Sequence, residues 1–550
     1  MNTLVKRLLL LAISGMIIQQ SAFGDGLLVP ADDENYSFPL LKNKSTEVNV
    51  TVHGAFINTV VYQEFLNESG DAVDATYVFP LPAEAKAVNM FYWRNDTLFR
   101  AILKEIPQSP TPGTGEGGLA AYINDYIGRN GITLDLKGIP AHSVQKVEIH
   151  YISKANINEG KYTWSFPLEC TDFVKHPLDY FKIHIDLSAS SEISGFNLTG
   201  IPDMVETKID SAHYIYDGMN SKHYPSADIS FEFSIDKPGI GIDWYAQKLS
   251  DTTDGHFGLT IMGPDHTESP LSNRIIFLLS NSTTMLGYKL DQSILAIQEA
   301  LDQLGPDDYF NIIVFNTDVQ PWKSSPVVAS AGNVTDAIDF LNTMETNWGS
   351  SMEDALVESL GQVPDNQYNN VILTFTDGVS AIDPSNISSL NEYNTGIHFV
   401  AIGKDIDRSR LELVSGDNFG TVTYLDVTDN IRQTINNVYN SLTQPVLKDL
   451  DIQFQSIPVY SVHPETYPAL NAGSELIILG KYHETGPDSV VLSGFGNEGP
   501  ETLNFPVEFS GTDSGRAFIH HFWAKEIIEQ LEYMILVYDL EEELKDSLTE

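Results

Sequence analysis

The chain has 550 residues, one cysteine, and 31 Lys and Arg against 75 Asp and Glu, for a net charge of −44. That charge repels a phosphate backbone and sets nucleic acid aside as a partner; cations are the natural counter-species, and solubility under screening over ~8 Å explains the acidity without any specific function. With 42% hydrophobic residues the chain can build packed cores, its length allows roughly two to four domains, and the lone Cys170 excludes an internal disulfide and points to a bacterial periplasm or exterior.

At the N-terminus, Lys6 and Arg7 precede the apolar run from Leu8 to Ile18, and the small residues Ala22 and Gly24 stand where signal peptidase reads. The run is shorter than the ~20 residues a membrane span needs. Residues 1–24 are therefore expected to be a signal peptide cleaved near Gly24, leaving Asp25 first and a charge two units more negative. No second long apolar stretch follows, so no membrane span is expected in the mature chain, which is secreted or periplasmic.

Residues 25–157 read as a β domain. Val48-Asn-Val-Thr-Val-His53 and Lys146-Val-Glu-Ile-His-Tyr151 alternate apolar and polar side chains, and Ala75-Thr-Tyr-Val-Phe-Pro-Leu-Pro82 is an apolar run stopped by prolines. Pro107 to Gly118 is a loop by composition, with a short helix expected between Gly118 and Asn130. Residues 158–265 continue as a β-rich connecting segment, with strands at Phe181–Leu187 and Ala227–Ile235.

The pattern changes near Asn273, within a third region spanning 266–444. Ile275–Leu279, Phe310–Phe315, Val371–Phe375 and Gly396–Ile402 are continuous apolar runs, as strands buried on both faces require. Between them Leu290, Ile294, Ile297, Ala300, Leu301 and Leu304 recur at helical spacing, as do residues in 334–344, 352–360, 408–414 and 430–442. Strand–helix alternation of this length predicts a doubly wound α/β sheet, Rossmann-like, whose ligands bind at the carboxyl ends of the strands. Residues 445–550 return to strands, at Ser474–Tyr482 and Ser489–Leu492, and close with a helix in which Trp523, Ile527, Leu531, Ile535 and Tyr538 share a face. Beyond Glu541 an acidic, uncapped tail is expected to be disordered, either as the fray of a complete chain or because the reading frame stops before a last strand.

Three loops at carboxyl ends of the doubly wound sheet carry chemistry. Ser280-Asn-Ser-Thr-Thr284 follows the first strand, Trp348-Gly-Ser-Ser351 lies on a second loop, and Thr376-Asp377-Gly378 follows Val371–Phe375. Hydroxyls from two loops and a carboxylate from a third are hard oxygen ligands suited to Mg²⁺ or Ca²⁺. Glu345, Glu353 and Asp354 lie near the second loop and could add charge.

Fold, loop order and motif position resemble a von Willebrand factor A (vWA) domain with its metal-ion-dependent adhesion site. The family pattern is Asp-x-Ser-x-Ser, then Gly-Gly-Thr, then Thr-Asp-Gly. The resemblance makes Ser282 and Thr284 the motif hydroxyls, Ser350 the threonine's counterpart and Asp377 the aspartate, while Ser280 replaces the usual first Asp. Loss of that carboxylate leaves two readings open, a weak Mg²⁺ or Ca²⁺ site and a degenerate loop kept as scaffold. Tyr77-Val-Phe-Pro-Leu-Pro82 resembles the VIT domain that precedes vWA in inter-alpha-trypsin inhibitor heavy chains, and His463–Leu470, Gly480–Tyr482 and Trp523-Ala524 resemble the segment after it. The Asp-Pro-His-Phe motif at which vertebrate heavy chains are coupled to glycosaminoglycan does not occur, so that function is not carried over.

Other chemistry fares poorly. There is no Gly-x-Ser-x-Gly, His-Glu-x-x-His or Gly-x-x-x-x-Gly-Lys-Ser/Thr. His520 and His521 occupy adjacent helical positions expected to point ~100° apart, against joint metal binding. Cys170 reads as a small buried apolar residue. The expected function is non-enzymatic: an adhesion-type protein whose vWA face binds an exported protein partner. The alternative is a structural or assembly role with vWA as an inert spacer.

Overall fold

The computed structural model describes residues 25–30, 40–82, 85–102, 131–158, 160–171, 174, 176–201, 203–237, 239–378, 380–404, 406–426, 429–512 and 518–538. The expected leader, the loop at 107–118 with the helix after it, and the tail beyond Glu541 lie outside these residues. The chain divides into two units. The first takes residues up to 156 with 162–188 and 193–234; the second takes 157–161, 189–192 and everything from 235 onward.

The first unit is all β. Val48, Val50 and Val52 are buried while Asn49 and Thr51 face outward, so the alternation in the sequence becomes the two faces of one strand. That strand, Lys42–His53, pairs antiparallel with Phe56–Leu66 and parallel with Leu178–Ser188. These lie within an eight-stranded sheet that draws strands from both sides of residue 157. Val73–Pro80 is the middle strand of a second sheet, flanked by Leu27–Pro30 and Gly131–Ile139. Tyr77 and Phe79 are fully buried there, and Phe79 packs against Tyr151 and Phe166. Each such ring contributes ~2–3 kcal/mol by leaving water. Cys170 packs with Leu27, Val29, Val78 and Val174, as a small apolar residue would, and burial pushes its thiol pKa well up.

In the second unit Gly241–Lys248 and Gly255–Met262 pair with each other, and the latter pairs with Glu475–Tyr482 far downstream. A second sheet, containing Pro445–Phe454, Gly486–Gly496 and Gly499–Phe509, shares their core through Trp244, Phe257, Phe454 and Phe509. The α/β region is thus inserted in sequence between strands of one β assembly.

The inserted region has five parallel strands: β1 (Asn273–Ser280), β2 (Tyr309–Phe315), β3 (Asn369–Thr376), β4 (Gly396–Ile402) and β5 (Val422–Leu425). Their spatial order is β2-β1-β3-β4-β5, with the short antiparallel strand Val319–Pro321 outside β2. Helices α1 (Tyr288–Gln303), α2 (Ala331–Leu341) and α6 (Ile431–Leu442) cover one face through Ile297, Leu301, Ala337, Leu341 and Ile435. Helices α3 (Met352–Gly361), α4 (Pro384–Leu390) and α5 (Arg408–Gly416) cover the other through Met352, Leu356, Ile387, Leu411 and Val414. The sheet is doubly wound as its apolar runs predicted. The chain leaves β1 for β2 on one side and later returns to β3 on the other, so the connections part at the carboxyl end of β1, where such folds open a crevice.

The last helix, α7 (Ile519–Tyr538), is anchored by Ile519 and Phe522. The stripe from Trp523 to Tyr538 that the sequence marks as its apolar face is half-buried to exposed. Trp523 donates from Nε1 to the Ser461 carbonyl, and its ring lies under Lys481 Nζ at 3.8 Å.

Candidate functional site

Sheet register decides which residues meet at the carboxyl edge. Leu279 of β1 stands beside Phe375 of β3, so Ser280 runs out next to Thr376, and Asp377 follows where β3 ends. The second loop joins them by a parallel bridge between Ser282 and Asn347, with Asn347 N–H donating to the Asn281 carbonyl at 2.9 Å. Two asparagines that the sequence reading passed over fix this geometry. Asn281 donates from Nδ2 to the Glu345 carbonyl at 2.7 Å, and Asn316 donates to Asn281 Oδ1 at 2.9 Å. Nothing in their spacing marks them; short amides beside a hydroxyl-rich turn are the only signal.

The first loop is closed on itself. Ser280 Oγ donates to Ser282 Oγ at 3.2 Å, and the Ser282 and Thr284 hydroxyls lie 2.8 Å apart. Ser280 is fully buried, so the residue that replaces the usual aspartate holds the turn instead of presenting charge. The second loop depends on Gly349, whose φ of +85° and whose position, where a Cβ would fall 2.3 Å from Thr317 Oγ1, exclude other residues. Thr317 N–H donates to the Trp348 carbonyl at 3.0 Å, and Ser351 Oγ donates to the Thr317 carbonyl at 3.0 Å. Ser380, also missed by the sequence reading, ties the third loop to the second by donating to the Ser350 carbonyl at 3.0 Å.

Ser282 and Thr284 are thus in direct contact, and Ser350 and Asp377 sit on loops bonded to theirs. The latter two differ in their hydrogen bonding. Ser350 Oγ is buried with no partner among the described residues. Asp377 is 5% exposed, and its carboxylate accepts no hydrogen bond and makes no ion pair among them. The Asp377 oxygens, unlike Ser350 Oγ, are not fully enclosed, so water or a ligand can reach them. The nearby acids do not fill the gap. Glu353 accepts from Asp383 N–H at 3.0 Å and Asn386 Nδ2 at 2.7 Å, and Glu345 and Asp354 are exposed. Three large apolar side chains stand in solvent on or directly after the same loops: Trp348 at 77% exposure, Leu286 at 69% and Tyr288, which opens α1, at 50%.

The rest of the second unit offers less. A cavity at the amino ends of β3 and β4 is lined by Tyr368, Asn394, Lys448, Asp449 and Tyr467, and its lysine, asparagine and aspartate are already paired. Lys448 donates to the Tyr368 carbonyl and Asn394 to Asp449. His520 and His521 do not diverge as adjacent helical positions were expected to; their rings lie 3.8 Å apart, with His256 6.1 Å from His520. Burial holds His256 down to about 4 and lowers His520, so both are neutral at pH 7. Among the described residues no group of three or more His, Cys, Asp or Glu is arranged to hold a metal ion. No described helix is long and apolar enough to cross a membrane.

Comparison with known proteins accords with this architecture. Residues 273–423 match the von Willebrand factor type A domain, and residues 43–151 match the vault protein inter-alpha-trypsin (VIT) domain. Over 531 residues the chain is 24% identical to inter-alpha-trypsin inhibitor heavy chain H4 of Homo sapiens, covering 88% of this chain and 56% of that protein. It is 22% identical to heavy chain H2 of Sus scrofa, covering 80% of this chain and 49% of the relative. The chain therefore spans about half the length of the curated relatives it matches. A solved von Willebrand factor type A protein from Catenulispora acidiphila aligns over 56% of this chain and 89% of its own, at 12% identity and a TM-score of 0.44. The chain carries a VIT domain followed by a vWA domain and is similar to inter-alpha-trypsin inhibitor heavy chains.

Proposed function

We propose that this chain is an exported, non-enzymatic, adhesion-type protein that recognises a protein partner through the carboxyl-edge loops of its vWA domain. In this reading the leader is removed near Gly24, residues 266–444 bind, and residues 25–157, 158–265 and 445–550 hold that domain in place. The observation that carries it is a buried carboxylate, Asp377, left without a partner where the sheet connections part.

Ser282, Thr284, Ser350 and Asp377 are the residues that would hold Mg²⁺ or Ca²⁺. Their oxygens suit a hard cation in kind, but one carboxylate in place of two, with the first loop's hydroxyls bonded to each other, makes the affinity weak. The donor set contains no His and no thiol, and nothing in it can serve as an activated nucleophile, which supports binding over catalysis.

The test is capture of partners from the source's exported fraction by the full chain and by Asp377→Asn, with calorimetric titration of Mg²⁺ and Ca²⁺ alongside. Loss of capture in the variant supports the reading. Capture indifferent to every carboxyl-edge substitution would overturn it and favour the spacer role.

A further inference from the structure

The charge and chemistry of the carboxyl-edge site say more about what enters it. Asp377 is its one carboxylate, and Ser282, Thr284 and Ser350 are neutral hydroxyls. A divalent ion would leave that site with a net positive charge. A monovalent cation balances it. We infer that the site takes a primary ammonium, the side chain of a lysine on a basic segment of the protein partner; this rests on the reading that the carboxyl edge is the binding face.

Hydrogen-bonding capacity agrees with charge. An ammonium carries three donors and no acceptor. Asp377, 5% exposed, has its carboxylate oxygens unbonded among the described residues, and those oxygens are not fully enclosed. Ser282 and Thr284 share one hydrogen bond, which leaves further lone pairs on both hydroxyls. A recessed carboxylate admits a compact charge on a flexible stem more readily than a planar guanidinium, so lysine is favoured over arginine.

Among the described residues no cation of the chain itself is paired with Asp377, and Lys404 pairs with Asp426 at 3.9 Å.

The exposed apolar residues close in sequence to the site point the same way. Trp348 lies two positions before Ser350, Leu286 two after Thr284, and Tyr288 two further on; all three are exposed. A hydrated metal ion makes no use of an apolar rim. Four lysine methylenes do, and an aromatic face beside the ammonium adds cation–π attraction. The net charge of −44 would draw a basic segment from a distance and speed its encounter.

The experiment uses the full chain in metal-free buffer with three blocked single residues as probes: N-acetyl-lysine methylamide, its norleucine analogue and its arginine analogue. By calorimetry the lysine probe is expected to bind on the order of millimolar, at least ~tenfold tighter than norleucine and tighter than arginine. Asp377→Asn, checked for an unchanged melting temperature, should lose that advantage. Ser280→Asp should exclude the lysine probe once Mg²⁺ is added. Equal binding of lysine and norleucine, or lysine binding untouched in Asp377→Asn, would overturn the inference. If the lysine probe fails while partner capture still depends on Asp377, the binding-face reading stands and this inference falls; if capture is also indifferent to Asp377, both fall.

Discussion

Two buried carboxylates, one in each unit, are treated in opposite ways. Asp25 is fully buried in the first unit and is met from every side. It accepts from Gly26 N–H at 3.0 Å, Asn43 Nδ2 at 2.8 Å, Thr46 Oγ1 at 2.8 Å and Gln63 Nε2, and Tyr77 OH donates to Gln63 Oε1 behind it at 2.7 Å. Gly26 is required beside it, because a Cβ there would fall 2.1 Å from Gln63 Oε1. Asp377 is nearly as buried and meets none of the described residues. Burial alone therefore does not mark a functional acid. The mark is burial combined with hydrogen-bonding capacity the protein leaves open to a ligand.

The largest expected effect breaks the pair apart. Asp25→Ala removes the common acceptor of several buried donors and should destabilise the first unit by ~3–5 kcal/mol. Asp377→Ala removes a charge that nothing holds and should leave the second unit unchanged or slightly more stable, within ~1 kcal/mol. Hydrogen exchange resolved by unit measures both, and avoids treating a two-unit chain as a single transition. Equal losses at the two sites would erase the contrast.

Next comes pH. In the chain with Gly24 still attached, burial outweighs the hydrogen bonds at Asp25 and raises its carboxyl from the usual 3.8 to about 7. Between those values the folded first unit holds a proton that the unfolded chain has released, so stability falls as pH rises. The contribution is fully present below about 4 and is lost by about 7, an effect on the order of 4 kcal/mol. Denaturant midpoints of the first unit at pH 5 and pH 7.5 should show the drop, and Asp25→Asn should flatten it.

The comparison can also be sharpened from the other side by restoring charge beside Asp377. Ser280→Asp should raise Mg²⁺ affinity at least ~tenfold, or ~1.4 kcal/mol, read by calorimetry. Without metal the variant should be less stable than the parent, since two carboxylates then face each other. Equal Mg²⁺ affinity before and after would mean that this loop is not the family's metal loop.

How much of this was legible in the sequence follows from the range of each signal. The doubly wound sheet was plain because doubly buried strands are continuous apolar runs and its helices repeat at helical spacing, both local patterns. The three loops of the site were legible for the same reason, since each follows an element whose end is marked. Strand partners were not. Leu178–Ser188 pairs with Lys42–His53, and Gly255–Met262 with Glu475–Tyr482, across long stretches of chain that leave no local trace. The Asp25 cluster was invisible too: Asn43, Thr46 and Gln63 look like the polar positions of alternating strands until pairing turns them inward. At Ser280 the sequence revealed the missing charge but not that its hydroxyl bonds back to Ser282.

The smallest expected effect on stability concerns Trp348, and it separates holding the site from using it. Its backbone carbonyl anchors the second loop by accepting from Thr317, while its side chain stands 77% exposed. Trp348→Ala keeps the carbonyl and removes only the ring, so stability should change by less than ~0.5 kcal/mol. If the ring belongs to a binding rim, partner capture should fall disproportionately, since a truncated aromatic anchor typically costs ~2 kcal/mol or more, about thirtyfold in affinity. Gly349→Ala is the complementary change: it leaves the ring but strains the loop beneath it, and should lower stability and capture together. Capture that survives Trp348→Ala and falls with Gly349→Ala would locate recognition in the loop backbone and the acid behind it, with the exposed ring a bystander.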